Sequence, residues 1–101
     1  VEAARALAER TLRQDSTGLK ARFNALGQQV LSRPFNKREQ MLLAKLLREH
    51  IEDFEAKPAE AEKLIRIGIA PVPSDIPPVE LAAWTSVARA VLNLHETITR
   101  N

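Results

Sequence analysis

Residues 81–101 read LAAWTSVARAVLNLHETITRN, and on a helical wheel this run gathers Leu81, Trp84, Val87, Val91, Leu94 and Ile98 on one side. At 100° per residue the apolar arc extends from Leu94 through Val87, Val91 and Trp84 to Ala88 and Leu92, about 160° wide, broader than a surface helix needs. A helix apolar over that much of its circumference has to be enclosed by others. The fold expected is all-α: a compact five-helix orthogonal bundle around a central C-terminal helix.

The composition agrees. With no Tyr, three Phe and one Trp in 101 residues, the core must be built from Leu, Ile, Val and Ala, which favours packed helices over a sheet. That length suits one domain, residues 1–101. The 45% hydrophobic and 28% charged residues argue against disorder. Cysteine is absent, which excludes disulfides, thiolate catalysis, covalent c-type haem attachment and cysteine-ligated zinc within this sequence. No apolar run approaches the roughly 20 residues that span a bilayer, so membrane insertion is not expected. VEAARALAER lacks the order of charge and apolarity of a signal peptide. The sequence begins with Val rather than Met and reads as the C-terminal fragment of a longer protein.

Working back from the last helix, residues 69–78, IAPVPSDIPP, hold four of the six prolines and predict an extended strap across the bundle, with Ile69, Val72 and Ile76 as contacts. Pro78 then starts the fifth helix. A first helix is expected over Glu2–Arg13, from Ala4, Leu7, Ala8 and Leu12. A second, near Leu19–Leu31, has a buried stripe of Leu19, Phe23, Leu26 and Val30 and a cap from Ser16 or Thr17. Gly27 either weakens it or lets a neighbour approach. Pro34 ends that run, and Asn36 followed by Glu39 resembles a capping box for a third helix reaching about Ala56. The apolar set of this helix, Leu43, Leu46, Leu47, Ile51 and Phe54, suits two neighbours. Lys45 with Glu49 and Arg48 with Glu52 are spaced for weak surface pairs. Lys57-Pro58 separates it from a short fourth helix, Ala59–Ile67, closed by Gly68 in a left-handed conformation.

Charge is unevenly divided. Residues 1–50 carry ten Lys/Arg against five Asp/Glu, and residues 51–101 carry five against eight, giving +5 and −3 and the net +2. The basic residues, from Arg5 to Arg48, are spread over three helices and a loop, which reads as a solvated surface. The nucleic-acid alternative is a helix-turn-helix-like module in which Lys37, Arg38, Lys45 and Arg48 reach phosphates. Against it, the connector Ser32-Arg33-Pro34-Phe35-Asn36 is long for that turn and contains proline, so nucleic acid is an unlikely partner.

No catalytic, cofactor-binding or metal site is expected. His95-Glu96 fails the zinc-protease signature because the residue four after His95 is Thr99, and His95 reads as a packed boundary histidine. His50 meeting His95 across the bundle, with Glu49 or Glu96, is the only metal arrangement the sequence offers. Glycine-rich phosphate loops and nucleophile motifs are missing, and Glu52, Asp53 and Glu55 read as a solvated helix end, so the chain is not expected to be an enzyme. Arg89, Asn93, Glu96 and Arg100 share a wedge of about 60° on the polar side of the last helix. They are candidates for polar contacts, with Asn93 and Glu96 bonding the strap or a neighbouring domain.

The ending LAAWTSVARAVLNLHETITRN resembles the C-terminal end of a domain of unknown function recurrent in planctomycete proteins, which are large, exported and often associated with a c-type cytochrome domain. VEAARALAER is similar to that family's Ala-rich helix, LSRPFNKREQMLL to its Arg-Pro turn and acidic helix start, and KPAEAEKLIRIG to the segment before its proline strap. The sequence departs from the family at Phe35, Asn36 and His95. The resemblance implies an exported, bacterial setting and neighbouring haem or carbohydrate-recognition domains, and no catalytic residues. The expected role is a non-catalytic structural or interaction module that docks on other domains of its own polypeptide, with Phe35 in the turn as a contact.

Overall fold

The computed structural model describes residues 2–13, 18–66 and 75–99, and within them all side chains but those of 2 and 94–99. Five helices follow in order: α1 Glu2–Arg13, α2 Leu19–Leu31, α3 Lys37–Ala56, α4 Pro58–Ile65 and α5 Pro78–Thr99. No strand occurs among the described residues. The fold is all-α, with a radius of gyration of 13.0 Å, as expected for a closed domain of this length.

α5 is the rod on which the others are laid. It touches each of the four other helices, and α1 most extensively. Leu81, Ala82, Ala83, Trp84, Thr85, Val87, Ala88 and Val91 are all buried. Three of these are alanines, and α1 answers with buried Ala4 and Ala8, so the two backbones can approach closely and make up in contact what they lack in side-chain volume. Two hydroxyls in this core are satisfied locally, Thr85 donating to the Leu81 carbonyl at 2.7 Å and Thr11 to that of Leu7 at 2.8 Å. The Phe23 and Trp84 rings meet at 5.3 Å between centroids, tilted by 45°, a favoured aromatic geometry.

Arg5 departs from its expected place on a solvated surface. It is 2% exposed, and its guanidinium donates to the Ile65 carbonyl at the end of α4. The last carbonyls of a helix have no partner within it and carry partial negative charge, so this cation ties α1 to α4 where an apolar side chain would leave an oxygen unsatisfied.

α2 begins where expected, but its N-cap is Gly18, which has no side chain to bond, in place of the hydroxyl expected from Ser16 or Thr17. Leu19, placed by its spacing in the buried stripe, is 44% exposed and lines an open cleft. Ser32 closes the helix in the left-handed region, φ 59°, and turns the chain back across it. A Cβ at Gly27 would lie 2.7 Å from the Arg33 carbonyl oxygen and 3.2 Å from the Phe35 nitrogen. Gly27 is there to let this backbone pass.

α3 opens on the expected capping box: the Glu39 amide donates to Asn36 Oδ1 and the Asn36 amide to Glu39 Oε1, both at 2.8 Å. Pro58 occupies the first turn of α4, which buries Ala61 and Ile65. The helix ends at Ile65 with a turn at Arg66, two residues short of the expected Ile67, while Gly68 lies outside the described residues. Of the strap, Ile76 packs against the core, and Asp75 takes two hydrogen bonds from Arg13, at 2.8 and 3.0 Å. Those bonds hold the Asp75 carboxyl below its ordinary range. Residues 67–74, with Ile69 and Val72, lie outside the described residues.

Candidate interaction surface

α3 packs on α5 and α4 but hardly on α2. Two helices that share a floor and meet sparsely, as where Gln40 Nε2 donates to Asn24 Oδ1 at 3.3 Å, leave a wedge between them. That wedge is a cleft of about 750 Å³, within the size range of ligand sites. Leu47, Ile51, Val79 and Trp84 supply its apolar lining, and its rim carries Arg22, Arg48, Glu52, Glu55 and Glu80. Arg22 is already paired with Glu80 at 3.1 Å. The rim thus mixes both signs and sets no charge preference for an occupant.

The sparse α2–α3 packing also bears on the helix-turn-helix reading, which needs the two helices braced against each other. Lys37, Arg38, Lys45 and Arg48 are exposed on α3, but the same helix displays Met41 and Leu42 between them and Glu49, Glu52 and Asp53 beyond.

The most exposed large apolar side chains among the described residues lie in the first half of α3. Met41 is 71% and Leu42 61% exposed. Neither belongs to the set that the spacing assigned inward, and of that set only Leu47 is buried, with Leu43, Leu46, Ile51 and Phe54 half-buried. Beside Leu42 is a depression of about 130 Å³, floored by Phe35 and Val91 and walled by Leu43, Ala90 and Glu39. Phe35, the expected contact in the turn, is 5% exposed: the chain reversal after Ser32 brings the ring against Gly27, where it lines the depression and forms part of the core.

The charges around this slot are specific. Glu39 is held by Arg33 at 3.0 and 3.2 Å and by the Asn36 amide. Those bonds, the Arg33 pair first, keep its carboxyl below the ordinary carboxylate range. Arg38 and Lys45 stand four residues before and three after Leu42, on its own face of α3, and Arg89 precedes Ala90 on α5. None of the three forms an ion pair among the described residues. The expected pairs of Lys45 with Glu49 and Arg48 with Glu52 do not form either.

Of the polar wedge on α5, Arg89 and Asn93 are exposed as its spacing predicts. The side chains of Glu96 and His95, and all of Arg100, lie outside the described residues. His50 stacks on Phe54, with ring centroids 6.2 Å apart. Among the described residues no three metal-ligating side chains come together, and no helix is long and apolar enough to cross a membrane. The two features that the sequence hid are the buried Arg5 and the Phe35 slot. Both arise from contacts between residues far apart on the wheel or in the chain, for which only the left-handed Ser32 and the glycine at 27 give a local cue. Comparisons with protein families, with curated proteins and with solved structures found no match to this chain.

Proposed function

We propose that this chain is a non-catalytic helical interaction module, the C-terminal cap of a larger exported bacterial protein of the kind its last helix resembles, docking on other domains of that polypeptide through the first half of α3. The observation that carries this reading is the exposure of Met41 and Leu42 next to an apolar depression. Single exposed apolar residues are ordinary, whereas contiguous ones beside a concave apolar floor mark contact surfaces. The setting within an exported protein rests on the resemblance of Leu81–Arg100 and of the turn at Arg33-Pro34.

The test is amide hydrogen exchange on the 101-residue chain, alone and within its longer natural polypeptide. Slower exchange across residues 37–48 in the longer form is the expected result, together with cross-linking from a photoreactive residue at position 42 to a site in the preceding portion. Equal exchange in both forms would overturn the proposal. Salt-dependent binding to random duplex DNA would favour the nucleic-acid alternative.

A further inference from the structure

We infer that the slot beside Leu42 takes an acidic helical segment of a protein partner, with one aliphatic or aromatic side chain seated in the depression and carboxylates three or four residues to either side facing Arg38 and Lys45. This names the chemistry of the partner for the docking reading above and rests on it.

Size sets the anchor. The depression holds about 130 Å³, close to the ~150 Å³ cavity known to accept a benzene ring, so it admits a single large apolar side chain. On a helix that presents one such anchor, the neighbours on the same face are three and four residues away, about 5–6 Å to either side. Those neighbours fall beside the lip of the slot, where Arg38 and Lys45 bracket Leu42 with the same spacing.

Sign follows from what is already satisfied. The one carboxylate in the lining, Glu39, is spoken for by Arg33 and the Asn36 amide. The two cations that flank Leu42 form no ion pair among the described residues, so docking an acidic face creates ion pairs without breaking any of those described. A basic face would oppose two like charges, and a purely apolar one would strip water from them without compensation. The larger cleft between α2 and α3 lacks this asymmetry, since its rim holds both signs.

The test is selection from an unbiased displayed library of helical peptides on the 101-residue chain. Enriched peptides are expected to share one large apolar residue with Asp or Glu three or four positions away. They should bind at least about tenfold more weakly to Leu42→Glu and to the double variant Arg38→Glu/Lys45→Glu, a loss typical of a central contact, and more weakly as salt is raised. All three positions are solvent-exposed, and circular dichroism of each variant checks that the fold is intact.

A consensus without acidic residues that is still lost in Leu42→Glu removes the acidic partner and leaves the docking surface standing. Binders indifferent to Leu42→Glu, or no enrichment at all, remove both. Two further outcomes also overturn the inference: sedimentation showing self-association abolished by Leu42→Glu, which makes a second copy the occupant, and binding to phosphatidylglycerol vesicles lost in the same variant, which makes it a lipid surface.

Discussion

α5 and α3 are the two long helices of this molecule, 22 and 20 residues, and they treat their apolar residues in opposite ways. From Leu81 to Val91, α5 encloses almost every apolar side chain it has, because helices pack against it from several sides. α3 leans on α5 along one edge and meets α4 at its end, so Leu47 alone is buried while Met41 and Leu42 face water. Apolar content fixes how much surface a helix would gain by burying. The number of neighbours fixes how much it does bury, and the remainder on α3 is what a partner can use.

The sharpest way to break this comparison is to remove the centre of α5. Trp84→Ala deletes a ring that is 2% exposed and in tilted contact with Phe23, at a cost of about 3–5 kcal/mol. Against a total stability of ~5–15 kcal/mol for a domain, chemical denaturation followed by circular dichroism should find the variant close to unfolding. A loss no greater than that of an exposed-site substitution would mean that α5 is not the central rod.

Gly27 tests whether the chain reversal that builds the slot is as tight as the geometry says. The added methyl of Gly27→Ala meets two backbone atoms, the Arg33 oxygen and the Phe35 nitrogen, which cannot rotate away as a side chain would. The expected loss is about 1–3 kcal/mol, measured by urea titration. Gly18→Ala is the control: nothing lies within 4 Å of its Cβ position and its backbone is extended, φ 175°, so its stability should stay within about 0.5 kcal/mol of the parent.

These elements were legible in the sequence to different degrees, for physical reasons. The central role of α5 could be read from its arc because a helix packed by neighbours on most sides is apolar over most of its circumference, with the narrow wedge of Arg89 and Asn93 left to water. The capping box at Asn36 and Glu39 could be read because it is a contact between residues three apart. Leu19 and the inward set of α3 were misjudged since periodicity shows which side of a helix is apolar and says nothing of how far along it the neighbours reach. Arg5 looked like surface charge, as its partner, the Ile65 carbonyl, is sixty residues away. Phe35 reads from the sequence as a contact in a turn, and its burial in the core follows from the left-handed Ser32 and the missing side chain at Gly27, which no spacing rule announces.

The α3 cap offers a smaller test with a pH signature. Asn36→Ala removes the side-chain half of the capping box, for a loss of about 1 kcal/mol. Glu39→Gln removes the charge that Arg33 and the Asn36 amide stabilise. Because those contacts lower the Glu39 carboxyl in the fold, its contribution is complete above the pKa of the unfolded chain and disappears as pH falls through the lowered folded value. The gap in stability between the parent and Glu39→Gln should therefore be open at neutral pH and close in acid below the ordinary carboxylate range, as read by urea titrations at a series of pH values. A gap that stays constant into acid would show that the pair with Arg33 contributes nothing.

The smallest effect on stability is expected at Leu42, and it is the most telling about function. Leu42 and Leu47 lie five residues apart on one helix with the same side chain, 61% and 5% exposed. A carboxylate at position 47 would be driven into the core without a partner, a change that costs several kcal/mol or forces the group to take up a proton. At position 42 it stays in water next to Arg38 and Lys45, so Leu42→Glu should change stability by no more than about 0.5 kcal/mol, as read by the same denaturation assay. If both substitutions prove equally damaging, α3 is covered along its whole length by something the free fold does not show. If only Leu47→Glu unfolds the chain, then Leu42 is held in water by no requirement of the fold, and the free energy gained by covering it remains available to whatever docks there.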